Sequence, residues 1–106
     1  MKKNLYAIYD KKSNNYGEFQ WQDVNDECAI RTVAQMANDI RPNKINQNPN
    51  DFELYKLGQI DLQTGKIEPK VEFLENIANL KKPEDKQKKE ILDKLAEIYN
   101  HIKGDN

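Results

Sequence analysis

Aromatic and basic side chains are interleaved at the amino end of this sequence. Five of the nine aromatic residues fall within the first 21 positions. They are Tyr6, Tyr9, Tyr16, Phe19 and Trp21. Exposed rings on a sheet can stack on nucleic-acid bases, and nearby ammonium groups can neutralise phosphates, which is how single strands are bound without sequence readout. The alternative is that these rings only form the core of a small sheet. Both interpretations are correct if one face of the sheet is packed and the other is open.

The alternation of Gly17–Gln22 places Phe19 and Trp21 on one face of a strand, which we expect to pack inward. Tyr6 is then the best candidate for an exposed ring. The hypothesis assigns contacts with a nucleic-acid strand to one group near the amino end and to a second basic group. The residues are Lys2, Lys3, Tyr6, Lys11 and Lys12, followed by Arg31, Arg41 and Lys44.

Enzymatic chemistry is the least favoured class of function. His101 and Cys28 are the only residues of their types, and together they cannot supply the usual four ligands of a zinc site. The four glycines are far apart, so no glycine-rich phosphate loop is present. The carboxylates are many, but nothing in the pattern selects a pair. We therefore predict a protein that is not an enzyme and that has no metal and no cofactor.

The composition indicates one small cytoplasmic domain. The chain has 106 residues, and its 17 Lys and Arg against 18 Asp and Glu give a net charge of −1. That balance disfavours a protein that coats DNA through a large positive excess. Neither a membrane-spanning apolar stretch nor a signal-peptide pattern is evident. The single cysteine excludes an internal disulfide and suits a reducing cytosol.

The hydrophobic pattern predicts alternating strands and helices. Asn4–Asp10 and Gly17–Gln22 are expected to form a hairpin, followed by a helix capped by Asp23 or Asn25 and ending near residues 38–40. Its predicted apolar stripe comprises Ile30, Val33, Ala34 and Ala37. A loop over 41–50, a strand over 51–61 and a short return strand from Lys66 follow, with Pro69 at an edge or at its end. Residues 71–80 fit a short helix slightly better than an extended segment.

The last part of the chain is rich in charge and predicts a helix over about 81–103. Ile91, Leu95, Ile98 and Ile102 are spaced 4-3-4 and form the predicted oligomerisation stripe. This helix either docks on the sheet or projects and buries the stripe against a second copy or another protein. The fold class is thus α+β, with a small antiparallel sheet of three or four strands, one packed helix and a C-terminal amphipathic helix. The two parts are residues 1–80 and 81–106.

Three segments carry a resemblance to a known family. They are NLYAIYD, NDECAIRTVAQMAND and NPNDFELYKLGQIDLQTGKIEP. Over residues 4–69 the chain resembles the small non-structural protein of gokushovirus-type microviruses, which are phages with single-stranded DNA genomes. The resemblance implies binding of single-stranded DNA in the bacterial host cytoplasm during genome replication or packaging. The competing class is an interaction protein that self-associates, or binds a protein partner, through its C-terminal helix.

Overall fold

The computed structural model describes residues 1–17, 19–82, 91 and 93–99. Up to residue 82, the described chain contains four strands and two helices. The strands are β1 (Lys2–Asp10), β2 (Gln20–Asp23), β3 (Phe52–Asp61) and β4 (Ile67–Asn76). The helices are α1 (Asp26–Ala37) and α2 (Lys44–Gln47), and two short 3-10 segments span Pro49–Asp51 and Ile77–Leu80.

The strands form one antiparallel sheet in the order β2-β1-β3-β4. This confirms the predicted α+β class and the edge position of the strand that contains Pro69. The prediction of a helix within 71–80 is wrong, because β4 continues to Asn76 against its ten-residue partner β3. The register shifts where Leu54 and Tyr55 meet Glu75 and Phe73, so one extra residue sits in β4. That bulge breaks the alternation and produces the spacing that resembles a helix.

Helix α1 begins where the sequence predicts it. The side chain of Asn25 accepts a hydrogen bond from the Cys28 N–H at 2.9 Å, so Asn25 is the cap. Val33 and Ala37 of the predicted stripe are buried, whereas the third buried residue is Ala29, one position before Ile30. The segment 41–50, predicted as a loop, contains the single turn of α2.

The core lies between α1 and one face of the sheet. Its largest fully buried side chains are Tyr6, Leu54, Ile77 and Val33. The expectation that Tyr6 is exposed is wrong, since its exposed fraction is 0%. The ring packs beside Trp21, with ring centroids 5.8 Å apart. Trp21 packs against the core as expected, but Phe19 does not, because it lies before β2 begins and is 47% exposed.

Hydrogen bonds explain how the polar end of Tyr6 is accommodated inside. Its hydroxyl donates to Oδ1 of Asp26 at 2.6 Å and accepts from Nδ2 of Asn4 at 2.9 Å. The Oδ1 atom of Asn4 in turn accepts from Gln59 at 3.1 Å. Burial, and then the bond to Asp26, raise the pKa of Tyr6, so the phenol stays neutral. Tyr6 therefore links the sheet to the first turn of α1.

The chain returns to α1 before it leaves the sheet domain. The side chain of Asn38 donates to the Leu80 carbonyl at 2.9 Å and accepts from the Lys82 N–H at 2.8 Å. Lys81 reaches the carbonyl of Asn46. Ile77 and Leu80 close the end of the core. Residues 77–82 thus lie on the α1 side of the sheet.

Substitution of Gly58 by alanine should strongly destabilise the sheet. Gly58 has φ of +150°, and an added Cβ would lie 2.2 Å from the carbonyl oxygen of Glu68 in β4. We expect a loss of about 2–4 kcal/mol in the free energy of unfolding, measured by urea denaturation. Gly17→Ala is the matched control, because its Cβ would lie 3.9 Å from the nearest atom, the Ile8 oxygen. Equal stability of the two variants would contradict this account of β3–β4 packing.

Removal of the Tyr6 hydroxyl should also destabilise the fold. Tyr6→Phe leaves the buried Nδ2 of Asn4 without this acceptor and removes a bond to a carboxylate. A loss of about 1–3 kcal/mol is expected in the same measurement. Tyr16→Phe removes the equivalent hydroxyl from a half-buried ring outside the core. Its free energy of unfolding should stay within about 0.5 kcal/mol of the wild-type value. A neutral Tyr6→Phe would show that the hydrogen bonds contribute nothing net.

Candidate nucleic-acid interface

Four aromatic rings gather on the face of the sheet opposite α1. We call Tyr9, Tyr16, Tyr55 and Phe73 the tyrosine face. Because Ile8 and Leu54 point into the core, their neighbours Tyr9 and Tyr55 point to the other side. Phe73 is the register partner of Tyr55 on β4, and Tyr16 follows the turn after β1. The described residues place no helix over this face.

The rings of the tyrosine face contact one another edge to face. Ring centroids lie 5.0 Å apart for Tyr9 and Tyr16, 5.9 Å for Tyr9 and Tyr55, and 5.5 Å for Tyr16 and Tyr55. Phe73 joins through Tyr55 at 5.6 Å and is 49% exposed. Such pairs contribute roughly 0.5–1.5 kcal/mol beyond burial, so the rings are held in place while parts of them stay exposed.

The phenol of Tyr55 is a neutral donor. Burial raises the pKa of Tyr55 above its usual 10.0, and Glu53 and the neighbouring phenols act in the same direction. Glu53 is the register partner of Tyr9, so it lies at the margin of the face. A ligand on the rings thus meets polar hydroxyl groups and a single nearby carboxylate on this stretch of β3.

Two lysines follow the tyrosine face directly. Lys11 and Lys12 are exposed in the turn between β1 and Tyr16, and this turn is closed by pairing of Asp10 with Asn15. The Asp10 carboxylate accepts the Lys12 N–H at 2.9 Å. Lys44 from α2 is close enough to lower the pKa of Asp10. We call Lys11, Lys12 and Lys44 the lysine turn, because all three are exposed lysines close to Asp10.

The other predicted contact residues lie elsewhere. Lys2 and Lys3 are at the far end of β1, roughly 25 Å away at strand spacing, and Lys2 is 3.8 Å from Glu68. Arg31 is exposed on α1, on the opposite side of the sheet. Arg41 forms a bidentate pair with Asp39 at 3.1 and 3.3 Å. Tyr6 is excluded by burial. Three of the eight predicted residues thus share one end of the molecule.

The residues near the carboxyl end are helical where they are described. Residue 91 and residues 93–99 form a helix, which confirms the predicted C-terminal helix there. Ile91, Leu95 and Ile98 are all exposed, as is Tyr99. Ile102 of the predicted oligomerisation stripe lies outside the described residues. The stripe therefore offers a second apolar surface besides the tyrosine face.

The described ranges lack two further features, a cluster of metal ligands and a membrane-spanning helix. No group of three or more His, Cys, Asp and Glu side chains there could hold a metal ion. None of the helices in the same ranges has the length and apolar character needed to cross a membrane. Cys28 is a free, partly buried thiol on α1.

Comparison with known proteins gives one family match. The family described as Phage ORF5 protein matches residues 3–82, which is 80 of the 106 residues. No curated protein and no solved structure gives a significant match. The match confirms the phage origin implied by the sequence resemblance, whereas the gokushovirus-type assignment stays a prediction. It ends at Lys82, where Asn38 holds the chain, so the C-terminal helix lies outside the matched region.

The lysine turn gives a testable acid dependence. Hydrogen bonding from the Lys12 N–H, then from Ser13, lowers the pKa of Asp10 below 3.8. Because the folded-state pKa is the lower one, ionised Asp10 stabilises the fold above about pH 3.8, and this contribution is lost as the pH falls through the folded-state value. NMR titration of the Asp10 carboxyl should give a midpoint below 3.8. Asp10→Ala should lower the unfolding temperature at pH 7 more than at pH 2.5. A midpoint at or above 3.8 would contradict this geometry.

Proposed function

The chain belongs to the phage ORF5 protein family, and we propose that it is a non-catalytic phage protein that binds single-stranded DNA in the host cytoplasm during genome replication or packaging. The observation that carries this proposal is the adjacency of the tyrosine face and the lysine turn. Lys11 and Lys12 lie in the turn that connects Tyr9 to Tyr16. Rings for bases and ammonium groups for phosphates are therefore available on one continuous surface.

Stacking is the first part of the proposed binding mode. Every base has an aromatic face, so rings on a sheet accept any sequence, and each stacked base contributes roughly 1–3 kcal/mol. Tyr16 and Phe73 lie at opposite ends of the ring cluster, with Tyr55 in contact with both. In a duplex the base faces are occupied by neighbouring bases, so this surface favours a single strand over a duplex.

Charge is the second part, and it is local. The whole chain has a net charge of −1, so long-range attraction to DNA is small. Lys11, Lys12 and Lys44 supply cations at the Tyr9–Tyr16 end, while Asp10 is engaged with the turn backbone. Lys3 has the strand parity of Tyr9 and supplies a cation toward the other end of β1. We infer a site with few phosphate contacts and a shallow salt dependence.

The sequence resemblance supports the same proposal at a finer level. The gokushovirus-type phages have single-stranded genomes, and a protein with this surface suits their replication intermediates. A second candidate function, an interaction protein acting through its C-terminal helix, is favoured by the exposed stripe of Ile91, Leu95 and Ile98. These stripe residues lie outside both the tyrosine face and the lysine turn.

Fluorescence anisotropy with labelled oligonucleotides tests the DNA proposal. The wild type should bind a single strand at about 50 mM salt, with affinity falling as salt rises, and should bind the matching duplex more weakly. K11A/K12A should bind more weakly and reduce the slope of log affinity against log salt by about 1.4, because each lost phosphate contact removes about 0.7. Y16L should lose roughly 5- to 150-fold in affinity with an unchanged slope.

K66A/K70A provides the matched control. It also removes two positive charges. Lys66 and Lys70 line grooves beside β4 together with Gln59 and Glu68, away from the lysine turn. This double variant should keep the wild-type slope. Absence of single-strand binding at about 50 mM salt, or an equal effect of both lysine pairs, would reject the proposed surface.

A further inference from the structure

Two apolar surfaces of this chain are exposed at the same time. One is the tyrosine face, which Val71 extends on β4 with 60% of its surface exposed. The other is the stripe of the C-terminal helix. We propose that the chain forms a two-fold dimer in which the C-terminal helix of each copy packs on the tyrosine face of the other. This inference does not rest on DNA binding.

The C-terminal helix needs a partner for physical reasons. All eight described helical residues are exposed, and the four large apolar ones among them are between 46% and 63% exposed. In proteins most of the stability of a helix comes from packing of its apolar face and little comes from intrinsic propensity. A helix that stays exposed on both sides would therefore be unstable alone, whereas docking of the stripe would stabilise it.

The width of the stripe favours a sheet as the surface on which it packs. Tyr99 widens the described part of the stripe, since Ile91, Leu95, Ile98 and Tyr99 are at i, i+4, i+7 and i+8. At about 100° per residue they cover an arc of about 100° on the helix surface. A stripe of this width is typical of a helix that packs on a broad core, and a two-helix seam uses the narrower pattern. The tyrosine face is such a broad apolar surface, and the described residues leave it without a covering helix.

The geometry of the chain favours the face of a second copy. Leu80 and Lys82 are bonded to Asn38 at the end of α1, so the chain leaves the domain on the side opposite its own tyrosine face. Nine Cα–Cα steps separate Lys82 from Ile91, so these two residues are at most about 32 Å apart. That reach suits a neighbouring molecule beside the same sheet edge.

Two-fold symmetry would double the interface area. Stable specific interfaces bury at least ~1,200 Å² in total, and one seam formed by Ile91, Leu95 and Ile98 of each copy contributes few side chains to such an area. A reciprocal exchange buries two identical helix-on-sheet contacts, since a two-fold axis repeats every contact. Each contact brings the aromatic rings of one copy against the aliphatic side chains of the other.

Sedimentation velocity of the full chain tests the dimer. Wild type should sediment as a dimer that dissociates on dilution, whereas Leu95→Asp and Val71→Asp should each remain monomeric at concentrations up to about 100 µM. Ala96→Asp adds the same charge one position along the helix, about 100° away from Leu95, and should leave the dimer intact. Val24→Asp is the control for the sheet domain, because Val24 is 60% exposed in the loop before α1.

Mixing the two interface variants distinguishes the reciprocal arrangement from other dimers. Leu95→Asp keeps a native face, and Val71→Asp keeps a native helix, so their mixture should form a heterodimer with one intact contact. A wild type that stays monomeric over this range would overturn the proposal. So would a dimer insensitive to Val71→Asp, which would indicate a helix–helix seam, or one insensitive to Leu95→Asp, which would indicate direct contact between two tyrosine faces.

Discussion

Helix α1 has twelve residues and is therefore about 18 Å long, whereas β3 and β4 have ten residues each and are about 33 Å long. Among the described residues, α1 covers one face of the four-stranded sheet and no helix covers the other. Because α1 packs over Tyr6, Ile8 and Leu54, the residues between them in the strands are directed outward. The exposed tyrosine face is thus a consequence of which face α1 covers. The position of α1 therefore determines both the core and the candidate interface.

The contact that sets this choice of face is the one between Tyr6 and Asp26. A buried phenol is costly unless its hydroxyl is bonded, and Asp26 lies in the first turn of α1, where a carboxylate also suits the helix dipole. Lys56, the register partner of Tyr6, lies 3.8 Å from the same carboxylate. Had Tyr9 been turned inward instead, its hydroxyl would have needed an equivalent acceptor near the last turn of the helix.

The role of the Tyr6–Asp26 contact also explains how much of the structure could be predicted from the sequence. Strand alternation correctly separates Tyr6 from Tyr9, but Ala7 and Ile8 make the two faces of β1 equally apolar, so alternation alone does not say which face is inside. The deciding partner, Asp26, is twenty residues away and looks like an ordinary acidic first-turn residue. The approach of Lys44 to Asp10 depends on how α2 packs, and that of Tyr55 to Phe73 depends on strand pairing. No local pattern specifies either. Helix caps and the class of fold were predictable because they are local or compositional.

The two proposed ligands of the tyrosine face are mutually exclusive, and this has a thermodynamic consequence. A helix from a second copy and a stacked base would each cover Tyr55 and Phe73, so binding of one disfavours the other by linkage. At high protein concentration the helix would occupy the rings, and single-stranded DNA would bind by displacing it and separating the copies. The lysine turn lies beside the rings and not beneath them, so it stays available to phosphates in either state. Binding would then begin at Lys11 and Lys12 and proceed to the rings as the helix leaves.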